Sequence, residues 1–121
     1  MKLFKKPYFL KTRKEKKLDL LNDTINYYNT NNRGIDPSNG KCSYAFDCAI
    51  GRLIPDMELK KKFGNLPINL VYDHLPNKLK KFDLQFLTFI QNLHDIEENW
   101  NEKGLSQRGK EQVEFIKRHI K

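Results

Sequence analysis

The residues best suited to chemistry are two cysteines and a histidine–aspartate pair. Cys42 and Cys48 lie six positions apart, and His94 is followed directly by Asp95. A thiol, an imidazole and a carboxylate are the parts of a nucleophilic enzyme: Cys48 would attack, His94 would take its proton, and Asp95 or Asp47 would orient the ring. The same side chains are metal ligands, and Cys42, Cys48, His74 and His94 together make a four-ligand set of the kind that holds zinc. Structural zinc sites draw their ligands in pairs two to four residues apart. Five residues separate the cysteines and the histidines are unpaired, so the spacing assigns no metal and no cofactor. The plain alternative makes Cys48 a small core hydrophobe, Cys42 a partly exposed thiol, and His94 a polar residue near a helix edge. Cys42, Cys48, His94 and Asp95 therefore stand as a speculative thiol–histidine site, with no catalytic residue assigned.

Other constellations are weaker. Asp95, Glu97, Glu98 and Glu102 line the end of a predicted helix, where acids oppose the helix dipole unless cations meet them. The six glycines are scattered, and none builds a phosphate-cradling loop or a dinucleotide fingerprint. Basic residues are concentrated at the start of the chain. Residues 1–17 carry eight basic side chains and one acid, a net of +7, whereas residues 18–121 carry fifteen and fourteen, a net of +1. Lys2, Lys5, Lys6, Lys11, Arg13, Lys14, Lys16 and Lys17 are interleaved with Phe4, Tyr8 and Phe9. Basic and aromatic residues in alternation suit phosphates and unstacked bases. Seven of the eight cations are lysines, which give charge without a bidentate fork, so such binding would be salt-dependent and tolerant of sequence. The same aromatic residues, with Trp100 as an anchor, suit docking on a protein partner or a second copy equally well.

These residues must be positioned by a small fold. The chain has 121 residues, enough for one core, and is 38% hydrophobic. The division expected is a basic arm over 1–13 and one helical domain over 14–121. Leu18, Leu21, Ile25 and Tyr28 recur at helical spacing, with Thr12 and Glu15 placed as a capping box. Asn29 to Gly34 should end that helix. A loop follows, with a short extended piece at 41–45, a short helix over 47–53 capped by Asp47, and a stop before Pro55. Gly51 would let another element approach closely. A short helix over 55–63 comes next, then a segment at 68–72 that the pattern leaves open between strand and helix start. The clearest element is a central helix near 83–100, begun by Asp83 and carrying Leu84, Leu87, Ile90, Leu93 and Ile96. A last helix over 106–120 starts at Ser106, with Gly109 weakening its first turn. The fold class is mainly α, with one short strand or hairpin, and α+β as the alternative.

No apolar run is long enough to span a bilayer, and the opening residues lack a continuous apolar stretch and a cleavage site. Two cysteines are too few for a disulfide-stapled secreted scaffold. The expected compartment is the cytoplasm, of a host cell if the chain is phage-encoded, with virion association as the other setting.

The segment Cys42-Ser43-Tyr44-Ala45-Phe46-Asp47-Cys48-Ala49-Ile50-Gly51-Arg52-Leu53-Ile54-Pro55-Asp56 is the most distinctive stretch. With Phe89-Ile90-Gln91-Asn92-Leu93-His94-Asp95, it resembles an uncharacterised group of small phage and bacterial proteins. The shared features are Cys-x-Tyr, Cys-Ala-Ile-Gly, Ile-Pro-Asp and a helix ending in His-Asp, over about residues 30–96. The resemblance implies a phage or mobile-element origin and no activity. Since no strong catalytic pattern stands in the sequence, the leading expectation is a non-enzymatic accessory protein that binds a protein, itself or another. Nucleic-acid binding through the basic arm is the alternative, and a small cysteine- or metal-dependent enzyme the second.

Overall fold

A computed structural model describes Pro7 and residues 10–121. Lys2, Phe4, Lys5, Lys6, Tyr8 and Phe9 of the expected arm lie outside the described residues. The fold is mainly α-helical with one short antiparallel hairpin, and no helix among the described residues is long and apolar enough to cross a membrane.

The first helix, α1 (Arg13–Tyr27), starts as its sequence dictates. The Thr12 hydroxyl accepts from the Glu15 N–H at 3.1 Å, and the Glu15 carboxylate accepts from the Thr12 N–H at 3.0 Å. It stops at the asparagine run, where the Asn29 side chain accepts from the Asn31 N–H and the Asn32 side chain accepts from the Asn29 N–H around a 3₁₀ turn, Thr30–Asn32. Gly34 then takes a left-handed conformation, φ 69°. A β-carbon there would lie 2.5 Å from the Phe46 carbonyl oxygen, so only glycine fits. The loop closes with an antiparallel bridge between Ile35 and Cys42. Asp36 sets that turn: its carboxylate accepts from the N–H and hydroxyl of Ser38, and its N–H reaches the Lys41 carbonyl at 2.8 Å. This turn delivers Cys42 to the body of the protein.

Residues 47–53 differ from expectation. Asp47 does not cap a helix; it sits at φ 62°, and its carboxylate accepts from the Lys60 ammonium at 2.8 Å. The helix shrinks to a 3₁₀ turn, Gly51–Leu53, and Gly51 lies against the Tyr44 backbone. A β-carbon on Gly51 would be 2.4 Å from the Tyr44 carbonyl oxygen, which bears out the close approach expected of that glycine. Three short helices follow. Asp56 caps α2 (Met57–Phe63). The ambiguous apolar run resolves as helix α3 (Ile68–Val71), begun after Pro67, and α4 (Asn77–Lys80) begins after Pro76.

The hub is α5 (Leu84–Asp95), capped by Asp83 as anticipated. Leu87 and Ile90 are wholly buried, and Phe86 and Leu93 nearly so. This helix packs against α1, α3 and α6 (Gln107–His119). It does not run on to residue 100. After Asp95 come a 3₁₀ turn, Glu97–Asn99, and a hairpin of β1 (Trp100–Asn101) and β2 (Gly104–Leu105). Trp100 is 5% exposed and belongs to the core, so it is no surface anchor for a partner.

Candidate metal centre

The early stop of α5 has a visible cause. The last carbonyls of a helix lack intrahelical donors, and here side chains supply them. The Leu93 carbonyl accepts from the Asn99 amide at 3.0 Å and from the Trp100 indole at 3.1 Å. The His94 carbonyl accepts from Trp100 at 3.1 Å and from Arg33 Nε at 3.2 Å. The Asp95 carbonyl accepts from the second arm of the Arg33 guanidinium at 2.7 Å. With these acceptors engaged by side chains, the chain turns away instead of adding another helical turn.

Arg33 is buried, and it joins the two segments that carry the candidate residues. One end of its fork holds the close of α5. The same terminal nitrogen lies 3.9 Å from Cys42 Sγ. Cys42, His94 and Asp95 thereby converge: one ligand atom from each lies within 4.8 Å of the other two. His94 is wholly buried, with its ring edge-on to Tyr28 at a centroid distance of 4.5 Å. Its Nδ1 lies 2.9 Å from the Asp95 carboxylate, and its Nε2 is buried without a hydrogen-bond partner. The same Asp95 oxygen, Oδ1, also accepts from the Gln91 amide at 3.0 Å, one turn earlier on α5. Gln91 in turn accepts from the Ile50 N–H at 3.3 Å, which ties the site to the cysteine-rich segment.

A cavity of about 440 Å³ opens beside this cluster. Cys42 and Asp95 line it, together with Cys48, Tyr44, Thr88 and Asn92. Its volume is in the range of small-molecule sites.

The electrostatics separate the two chemistries weighed from the sequence. Burial pushes the Cys42 thiol up to about 12, and the neighbouring Asp95 carboxylate pushes the same way, with Arg33 opposing. Burial also raises Cys48, to about 11, against weaker lowering from the Gly51 backbone and Gln91. Reactive cysteines have thiols shifted the other way, in electropositive and accessible surroundings. Cys48 is 1% exposed, and burial outweighs the lowering by the Ile50 and Gly51 backbone at the start of the 3₁₀ turn, so it lacks both the access and the net shift of a reactive thiol. A thiol, a carboxylate and an imidazole crowded together are instead a set that a cation would satisfy.

Of the sequence candidates, Cys42, His94 and Asp95 are brought together, and Cys48 shares their cavity outside the cluster. His74 lies exposed on the turn after α3, outside the cluster as well. Glu97, Glu98 and Glu102 are exposed. Of the basic residues, Lys11 pairs with Asp19, and Lys17 pairs with Asp83 and lies over the Phe86 ring. Arg13 and Lys14 are exposed on the first turn of α1, and Lys16 is half-buried. Sequence reasoning missed Arg33 and Gln91. Gln91 carried a readable signal, since it stands four residues before Asp95 on a predicted helix. Arg33 carried none, because its partners are 61 and 62 positions away. Comparison with family models, with curated proteins and with solved structures finds no match.

Proposed function

We propose that the protein works through Cys42, His94 and Asp95 as a small metal-dependent enzyme, holding a divalent transition ion of the zinc type beside the 440 Å³ cavity. The observation that carries this reading is the convergence of three different ligand side chains within 4.8 Å, from segments more than fifty residues apart. Protein interaction led from the sequence because no catalytic constellation stood out; the cluster removes that ground.

The ligand set fits the ion. A tetrahedral zinc site with bond lengths of 2.0–2.3 Å places its ligand atoms about 3.3–3.6 Å apart. Closing the present cluster to that size requires movements of roughly 1 Å, small enough for side-chain rotation at Cys42 and Asp95. Thiolate and carboxylate together offset the charge of a divalent cation. Arg33 and Gln91 orient the set from behind, as outer partners do in metal sites. Cys42, His94 and Asp95 would hold the ion as three protein ligands, as in catalytic rather than structural zinc sites, and the ion would supply an activated water at neutral pH. Two of the three ligand residues, Cys42 and Asp95, line the cavity, so a substrate entering it would lie beside the ligand set. The reaction class is metal-assisted hydrolysis of a small polar substrate.

The test uses the full chain, loaded with zinc or cobalt and freed of excess metal by dialysis. One equivalent of metal per chain should remain, and the cobalt form should show a thiolate-to-metal absorption band that Cys42→Ser abolishes. Asp95→Asn should weaken binding without unfolding the protein. Absence of stoichiometric metal from the folded wild-type chain, or an unchanged cobalt spectrum in Cys42→Ser, would overturn the proposal.

A further inference from the structure

A second cavity, of about 570 Å³, shares no lining residue with the first. It lies between the start of α1, the start of α5 and the end of α6. Its walls carry five cationic side chains, Arg13, Lys16, Lys17, Lys81 and Lys121, against a single carboxylate, Asp83. Lys17 already answers that carboxylate. The charges of Arg13, Lys81 and Lys121 lie along an open cleft, where low-dielectric walls strengthen the field.

The cleft also has aromatic surface. Phe89 contributes to its wall, and the Phe115 ring packs edge-on to Phe89 at 5.8 Å. His119, another wall residue, lies nearly parallel to Phe115, with centroids 4.2 Å apart and a tilt of 31°. Phe115 is 40% exposed on a helix whose other large apolar residues are turned inward. An anion alone would need only the charges, and an apolar ligand only the rings. The two together match a ligand that alternates phosphate with flat unsaturated rings.

We propose that this cleft binds single-stranded nucleic acid, with phosphates on Arg13, Lys81 and Lys121 and an unstacked base against the Phe115–His119 face. Base–aromatic stacking tolerates any base, and lysine-dominated phosphate contact carries no geometric code, so binding is independent of sequence and steeply dependent on salt. The site is a cleft of the folded helices, to which the expected arm contributes only Arg13, at the start of α1, and it stands independently of the metal centre.

The experiment measures fluorescence anisotropy of a labelled oligothymidylate of about 12 nucleotides, a span suited to one such site, against the full-length protein at low salt. Arg13→Glu with Lys81→Glu should weaken binding at least tenfold. A charge-matched pair on α2, Lys61→Glu with Lys62→Glu, should weaken it about twofold or less; both of those lysines are exposed and outside the cleft. Phe115→Ala, at an exposed position that leaves the core intact, should cost about fivefold or more. A mononucleotide competitor distinguishes the source of the ligand: displacement at equal concentration would mean that the cleft takes a free nucleotide, overturning the strand assignment. Equal losses from the cleft and α2 pairs, or equal affinity for a duplex that hides its base faces, would also overturn it.

Discussion

Arg33→Met isolates the contact on which the candidate centre depends. Methionine keeps most of the unbranched stem but removes the guanidinium, so the packing of the stem is largely retained and the hydrogen bonds are lost. Two bonds to carbonyls disappear, at 2.7 Å to Asp95 and 3.2 Å to His94. A hydrogen bond with one charged partner contributes about 1.5–3 kcal/mol. The two losses are unequal. The His94 carbonyl keeps its bond from the Trp100 indole, whereas the Asp95 carbonyl loses the donor that meets it. The full cost therefore falls on one bond and a fraction on the other, giving about 2–4 kcal/mol in all. Arg33→Lys keeps the charge but cannot span both carbonyls, and should cost about half as much.

A domain of this size has about 5–15 kcal/mol in total, so both variants should remain folded at 25 °C and be measurable by urea denaturation. The single tryptophan, Trp100, is bonded to the same helix end, so its fluorescence reports the relevant region directly. The expected order is wild type, then lysine, then methionine. A methionine variant within about 0.5 kcal/mol of wild type, in the range of an ordinary surface substitution, would refute the view that the guanidinium holds the end of α5.

Four further outcomes are expected. Gly109→Ala should destabilise by more than about 2 kcal/mol in the same urea assay, although alanine is the better helix former by about 1 kcal/mol; the new β-carbon would meet the Asn99 carbonyl oxygen at 2.2 Å, and a stabilised variant would contradict the packing described. Gln91→Leu should lower zinc affinity about 10–100-fold by calorimetry, as loss of an outer partner does, while wild-type affinity would dissociate Gln91 from the centre. Cys48, buried and raised to about 11, should alkylate at pH 8 at least about 100-fold more slowly than an ordinary thiol, and rapid labelling of folded protein, read by mass spectrometry, would contradict its burial. Asp83 is held below the usual carboxylate range: burial raises it, but the Lys17 ammonium and the Phe86 N–H outweigh that. Its contribution to stability is therefore present above the unfolded carboxylate pKa and lost as pH falls through the lower folded value. Lys17→Gln should move the Asp83 carboxyl resonance titration upward and shrink that acid-side loss, which for a half-exposed carboxylate is under about 1 kcal/mol.

Much of the helical frame was legible in the sequence, because capping and periodicity are local. Thr12 with Glu15, Asp83 and Ser106 each begin the helix that their position announced. The asparagine run ended α1 for the reason its residue type supplies. What local pattern missed was set by contacts distant in sequence. The apolar spacing of Ile96 and Trp100 continues that of Leu93, so periodicity carried the central helix past its true end. The donors that stop it come from Arg33, Asn99 and Trp100, and only the folded chain brings them there. Gly109 read as a weakness in its helix; against Asn99 it is a requirement. The 47–53 segment had a plausible cap in Asp47, but Tyr44 against Gly51 and Lys60 against Asp47 decided otherwise.

The centre itself was only partly legible. Cys42, His94 and Asp95 stood among the sequence candidates, but the cysteine spacing and the unpaired histidines assigned no metal. The fold supplies what spacing lacked. Asp95 becomes the final helical residue, with its carbonyl held by Arg33 and one carboxylate oxygen, Oδ1, shared between the His94 ring and the Gln91 amide. Arg33 also lies against Cys42 Sγ, and a short bridge from Ile35 sets Cys42 beside the helix end. The stop of α5 and the gathering of thiol, imidazole and carboxylate are therefore one structural event. The metal reading consequently rests on the same hydrogen bonds that end the helix, and local spacing could name the candidate residues without showing that they meet.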